Sequence, residues 1–223
     1  MNSPQPFNSS TPQHSSEPSR FSKRGWVILF LVVALLIGWA FLKFHQAEHR
    51  VATTLPDLVT VPDFSFTTQE GKLLTKADLA GKIWIADFIF TQCAGPCPIM
   101  TSRMAELSSR MAKVPDVRLV SVSVDPEHDT PEVLAHYAAN VHANPVQWSF
   151  LTGSAKEIAD FTIHGMKQSL VMEPGGMPTH STRLMIVDGH GIVRAYYDGN
   201  DPEVVQKILI DVGDLLREQN KKL

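Results

Sequence analysis

Cysteine is almost absent from this chain: two in 223 residues, Cys93 and Cys97. Two cannot make a disulfide framework, so whatever they do is local. A basic surplus is missing too. The net charge is −3, which excludes the broad cationic surface that nucleic acid needs. No internal repeat is present, and only one apolar run is long enough to cross a bilayer. What remains, 43% hydrophobic and 19% charged residues, suits one globular domain with additions.

The additions lie at the N-terminus. Residues 1–24, MNSPQPFNSSTPQHSSEPSRFSKR, have almost nothing to bury and read as a disordered tail. They are not arginine-rich and have no amphipathic period, which argues against a mitochondrial transit peptide. Residues 25–42, GWVILFLVVALLIGWAFL, are 18 positions without a charge, about the length that crosses a hydrocarbon core of roughly 30 Å. Trp26 and Trp39 near the ends suit the interface. A buried core helix and a cleaved signal peptide are the alternatives. The first is a poor fit behind a polar tail, and no small-x-small cleavage site follows Leu42. The expectation is an uncleaved transmembrane signal anchor. Arg20, Lys23 and Arg24 precede it, against Lys43 and Arg50 after it. That bias puts the N-terminus in the cytoplasm and the remainder in the periplasm of a bacterial inner membrane, or an equivalent outer space. Beyond residue 42 stand 17 basic and 22 acidic side chains.

Residues 43–59 read as a connector and 60–223 as the domain, long enough for a sizeable core. Val61 to Phe66 and Lys72 to Leu74 suggest a hairpin around Glu70-Gly71. IWIADFIF (Ile83 to Phe90) is an apolar run suited to a buried central strand. Ile99 to Ala112 has a helical period carrying Met100, Met104, Leu107 and Met111. A strand over Val117 to Val124 follows, then a helix capped by Thr130 with Pro131 at its first position. A short strand from Trp148 to Leu151, a helix capped by Ser154, a hairpin over Leu184 to Tyr196 and a last helix from Pro202 to Glu218 complete the chain. Strand and helix in this order predict an α/β thioredoxin-like fold, a mixed sheet with helices on both faces.

The cysteines fall where the central strand hands over to a helix, in Cys93-Ala-Gly-Pro-Cys97-Pro98. Proline suits a first helical turn, so unpaired N–H groups and the positive end of the helix dipole should lie near the sulfurs. Both effects favour thiolate, the nucleophile and the metal ligand. Three intervening residues can close into a disulfide or open around a soft ion. Cu(I) accepts few sulfur ligands, whereas structural zinc wants four and no second pair supplies them. A structural disulfide or two buried thiols is the plainer alternative. The spacing alone does not choose between metal and redox chemistry. His180, in the loop before the strand from Leu184, should lie beside the cysteines in such a fold, as a third ligand or as an ordinary exposed histidine.

These residues carry a resemblance. ADFIFTQCAGPCPIM (Ala86 to Met100), SVSVDPEHDTPEVL (Ser121 to Leu134), WSFLTG (Trp148 to Gly153) and HSTRLMIVDGHG (His180 to Gly191) resemble the Sco/SenC family, membrane-anchored proteins of cytochrome c oxidase copper-centre assembly. The resemblance implies copper, as Cu(I) and often Cu(II), on Cys93, Cys97 and His180. It implies as partner the copper-bearing oxidase subunit or another copper chaperone. Between the cysteines stands Ala-Gly-Pro, where many members have an acidic and a β-branched residue. The rival functions are a thiol–disulfide oxidoreductase and a redox-signalling protein, with Cys93 and Cys97 as a catalytic redox pair.

Other residues have a structural and a functional reading. Asp87 is either a group that orients a ligand or a strand-end carboxylate bonded to backbone. Asp125 and Asp129 read as turn and cap residues. Met100, Met104 and Met111 read as core. Met166, Met172 and Met177, with His164, read as loop packing before His180, and His45 and His49 as solvated.

Overall fold

The computed structural model describes residues 23–48, 55–93, 95, 97–171 and 178–221. The chain divides into two compact units, residues 1–51 and 52–223.

In the first unit, α1 (Lys23–Glu48) is a 26-residue helix. Its described side chains, 25–41, include an unbroken series of exposed large apolar residues from Trp26 to Leu31. Among the described residues no helix is long and apolar enough to cross a membrane. The described side chains here stop at Phe41, one residue short of the 18-residue run in the sequence.

The second unit is built on one mixed sheet. Its strands are β1 (Val59–Thr60), β2 (Ser65–Thr68), β3 (Leu73–Thr75), β4 (Ile83–Ile89), β5 (Val117–Ser123) and β6 (Trp148–Thr152), then β9 (Arg183–Val187) and β10 (Ile192–Asp198). They lie in the order β1-β10-β9-β4-β5-β6-β2-β3. The strands β4, β5 and β6 run parallel, and β9 is antiparallel to β4. Between β6 and β9 a separate small hairpin pairs β7 (Leu170–Val171) with β8 (Thr179–His180). The helices are α2 (Cys97–Arg110), α3 (Pro131–Asn140), α4 (Ala155–Asp160) and α5 (Val204–Lys221).

All seven residues of β4 are buried. A strand buried on both faces cannot alternate, which is why IWIADFI reads as a continuous run. Met100, Met104, Leu107 and Met111 are buried as the helical period predicts, each worth roughly 1.5–3 kcal/mol in area removed from water. Thr130 accepts a hydrogen bond from Val133 N at the start of α3, with Pro131 next. Ser154 caps α4 in the same way, and that helix runs on into a π-helical turn, Phe161–Gly165. The thioredoxin-like reading holds in its order of elements and its mixed sheet.

Two differences concern the edges. The first hairpin is shifted toward its turn: β2 starts at Ser65 and runs past Phe66 to Thr68, pairing Ser65 with Thr75, Phe66 with Leu74 and Thr67 with Leu73. Val61 N donates instead to Gly191 O, and Pro62 has no donor to offer a ladder. Residues from 55 to 59, read as connector, belong to the folded unit. Val59 pairs with Val193 in β10, and Arg194, 5% exposed, ties this segment down. Its guanidinium donates to Leu55 O and Pro56 O, to Asp188 Oδ2 at 2.8 Å and to Glu218 Oε2 at 3.3 Å. A buried guanidinium with this many acceptors fixes geometry more than it adds stability.

Candidate metal centre

Three chain segments converge at the C-terminal end of β4. After Ile89 the strand leaves the sheet through Phe90 and Thr91 into the cysteine loop, and α2 starts at Cys97 itself. Cys93 is half-buried and Cys97 buried, and both are free thiols. His180 arrives on β8, whose partner Leu170 faces it across the small hairpin. One donor atom from each of Cys93, Cys97 and His180 lies within 4.8 Å of the other two, and among the described residues they form the one such group of three or more His, Cys, Asp or Glu. Cys97 Sγ and His180 Nε2 are 3.3 Å apart.

The imidazole is fixed from both sides. Its Nδ1 lies 2.9 Å from Ser181 O, and a carbonyl only accepts, so Nδ1 carries the hydrogen and Nε2 presents its lone pair to Cys97. Such a partner on the far nitrogen is what sets a ligand histidine's tautomer. Phe90 meets the ring edge-to-face with centroids 5.7 Å apart. Burial lowers the pKa of His180, partly offset by the Ser181 carbonyl, so the neutral form is favoured.

The sulfur chemistry differs from the sequence expectation. A helix start was expected to favour thiolate. Burial instead pushes the Cys97 thiol up to about 12, with a hydrogen bond to Cys93 adding to the rise and a backbone hydrogen bond from Phe90 opposing it. Desolvation outweighs the helix terminus because Cys97 is 1% exposed. Metal-free, the site is therefore thiol at Cys97 and neutral imidazole at His180.

This donor set fits a soft ion. Bonds of about 2.0–2.3 Å to nitrogen or sulfur allow two ligand atoms on one ion to stand at most about 4.6 Å apart. Donor atoms that all lie within 4.8 Å of one another need only slight closure. Among the described residues an ideal Cβ on Gly95 would meet only Cys93 Sγ, at 3.8 Å.

Asp129 had read as a turn residue. It is fully buried, and its carboxylate holds the cysteine loop. It accepts from Thr91 N at 3.1 Å, Thr91 Oγ1 at 2.5 Å and Ser123 Oγ at 2.5 Å. No local signal in the sequence marks this. The contact arises because β4 and β5 run parallel, so their C-terminal ends, where α/β sheets place their sites, lie side by side. Asp125, by contrast, stays in its turn beside His128 Nδ1 at 2.9 Å. Gly199 is a second residue that sequence reasoning missed. Its N–H donates to Thr182 O at 2.8 Å. A Cβ there would sit 2.8 Å from that same oxygen and against Met100 Sδ. The glycine thus lets the loop after His180 close on the cysteine helix.

Asp87 keeps part of each reading, since its own backbone N–H lowers its pKa and its charge raises that of Cys97, but it is not at a strand end. It lies inside β4 with no exposure. Oδ1 accepts from Ser121 Oγ at 2.5 Å, and Ser121 Oγ in turn accepts from Trp148 Nε1 at 2.9 Å. Oδ2 has no hydrogen-bond partner among the described residues. Burial raises its pKa to about 7, against the pull of Ser121. Met166 is buried as core and His164 is exposed near Asp160. Met172, Met177 and His49, and the side chain of His45, lie outside the described residues.

Comparison with known proteins agrees with this geometry. The sequence profile of the SCO1/SenC family matches residues 52–212. The SCO1 protein homolog of Bacillus subtilis is 38% identical over 156 residues, 68% of this chain and 80% of that protein. A SCO1/SenC family lipoprotein from Bacillus anthracis superposes with a TM-score of 0.67 at 34% identity, over 71% of this chain and 95% of that one. Copper-bound ScoI of Bradyrhizobium japonicum does so with a TM-score of 0.58 at 27% identity, over 71% and 99%. The chain belongs to the SCO1/SenC family.

Proposed function

We propose that this protein binds copper as cargo through Cys93, Cys97 and His180. It then delivers the metal to, or prepares, the copper-bearing subunit of a cytochrome c oxidase, directly or through another copper chaperone. The observation that carries the reading is the inward-facing Nε2 of His180, 3.3 Å from Cys97 Sγ with Nδ1 tied to Ser181 O. Thiol exchange needs two cysteines and has no use for an imidazole fixed in a ligand tautomer. Zinc in a structural site would want a fourth ligand. Two thiolates suit Cu(I), and the added nitrogen extends the site to Cu(II). The relatives support this: one was solved with copper bound, and another, BsSco, is described as a member of a family of cytochrome c oxidase assembly proteins with a disulfide switch.

The cysteines must give up their protons to load the metal. With the Cys97 thiol held up at about 12, protons compete throughout the acidic and neutral range, so affinity weakens as pH falls. The proposal extends to α1. At about 1.5 Å per residue its 26 residues exceed a core of roughly 30 Å, and we read it as a single transmembrane anchor. The N-terminus is then cytoplasmic and the domain periplasmic, on a bacterial inner membrane. A periplasmic reporter fused after Gln46 should be active and membrane-bound; a soluble, shortened product would refute the anchor.

His180→Ala tests the copper reading. The variant should keep Cu(I) on two sulfurs but lose most Cu(II) affinity, and cells carrying it should fail to assemble the oxidase copper site. Oxidation of the dithiol in vitro should be little changed. Full oxidase assembly with the variant would refute transfer through a Cys₂His site and leave thiol–disulfide exchange, by Cys93 attack and Cys97 resolution, as the function.

A further inference from the structure

Beside the metal centre lies an open polar hollow of about 640 Å3. His180 forms part of its wall, with Lys167, Ser169, Thr182, Arg183 and Asp198 around the rest. Lys167 and Arg183 are exposed, and among the described residues neither is in an ion pair. One acid shares this rim: Asp198 stands opposite Arg183 across the strands and its Oδ1 accepts from Asn200 N and Asn200 Nδ2, so the hollow carries two cations against one carboxylate. The two cations are held in place by different means. Lys167 has φ +54°, a left-handed conformation uncommon for a residue with a side chain. The turn around it is fastened by Gln168 N to Thr162 O, Gln168 Nε2 to Met166 O and Tyr196 Oη to Met166 O. Arg183 lies over the Tyr196 ring, 5.8 Å from its centroid. A strained turn that survives in a fold is a place to look for function.

Beyond residue 42 the chain carries 17 basic against 22 acidic residues, a negative surplus. Against that net charge, the paired cations of this hollow are what can attract an acidic protein. Access to the metal site points to the same side. Cys97 is buried while Cys93 and His180 are half-buried, so a protein taking or giving copper must approach across the Cys93–His180 edge. Its flanking residues would then lie over the hollow.

We propose that this hollow is the docking surface for an acidic segment of the protein that exchanges copper with Cys93, Cys97 and His180. The proposal rests on the copper reading above and adds the chemistry of the partner. Charges of this kind set encounter rate and register more than final affinity, and they are screened beyond roughly 8–10 Å at ordinary ionic strength.

The test is transfer of Cu(I) from the loaded full-length chain in detergent to the metal-free copper-site domain of the oxidase subunit, at low and high ionic strength. For the parent, the rate should fall as salt rises. Lys167→Glu with Arg183→Glu should slow transfer about tenfold or more at low salt and reverse that salt dependence, because salt then screens a repulsion. Transfer to dithiothreitol, which is uncharged, should match the parent. Lys167→Arg with Arg183→Lys preserves charge and should preserve the rate, which separates electrostatics from local packing. A parent that loads copper but transfers it without salt dependence, or a charge-reversed variant as fast as the parent, overturns the docking surface alone. A parent that retains no copper overturns the docking surface and the copper reading together.

Discussion

Replacing Asp129 probes how the cysteine loop is held. Its carboxylate accepts from Thr91 N, Thr91 Oγ1 and Ser123 Oγ. Hydrogen bonds to such an acceptor contribute roughly 1.5–3 kcal/mol each, but these three share one group and do not add in full. The two hydroxyls can rotate toward new partners; the Thr91 N–H cannot. Asp129→Ala should therefore cost about 3 kcal/mol, mainly the stranded amide and the lost side-chain volume. Asp129→Asn keeps one carbonyl oxygen for Thr91 N and Ser123 Oγ, and its NH2 can donate to a rotated Thr91 hydroxyl. It should cost nearer 1 kcal/mol. For the reduced domain beginning at Ala52, unfolding in urea with a slope of about 2–3 kcal/mol/M puts the alanine midpoint about 1 M below the parent. Amide hydrogen exchange supplies the local readout: exchange at Thr91, Gln92 and Cys93 should quicken in the alanine variant while β5 stays protected. A midpoint shift below about 0.3 M, with exchange in the loop unchanged, would show that Asp129 does not hold it.

Two further outcomes follow from buried groups near the site. The folded pKa of Asp87 is raised from 3.8 to about 7 by burial, so between those values the folded chain holds a proton that the unfolded chain has lost. Its contribution to stability is thus complete below about pH 4, falls as pH rises to about 7 and is flat above, a loss on the order of 4 kcal/mol. Asp87→Asn should be the more stable protein at pH 8 and lack that slope; urea midpoints of both proteins at pH 5 and pH 8 decide, and parallel behaviour would refute the assignment. Gly199→Ala forces a Cβ to within 2.8 Å of Thr182 O and onto Met100 Sδ, an overpacking cost of about 1–3 kcal/mol. It should also spread His180 from the cysteines and reduce Cu(II) affinity more than Cu(I) affinity. Competitive metal titrations giving an equal change for both ions would refute a role in closing the site.

What the sequence determined by itself is whatever depends on short-range order. The mostly apolar run of β4, interrupted only by Asp87, the methionine stripe of α2, the Thr130-Pro131 and Ser154 helix starts and the Cys-x-x-x-Cys loop after a buried strand are each written in adjacent residues. Adjacent residues also fix period, capping and turn geometry. His180 was within reach because the order of strands and helices predicts which loop lies beside the cysteines. Tertiary structure decided the rest through contacts between distant segments. Asp129 is 38 residues from Thr91, and Phe90 and Gly199 act on the imidazole or its loop from far along the chain. The protonation of Cys97 was read wrongly because a helix start is visible in the sequence while burial is not. Desolvation depends on everything packed around a sulfur, and here it is stronger than the few N–H groups that the local sequence supplies.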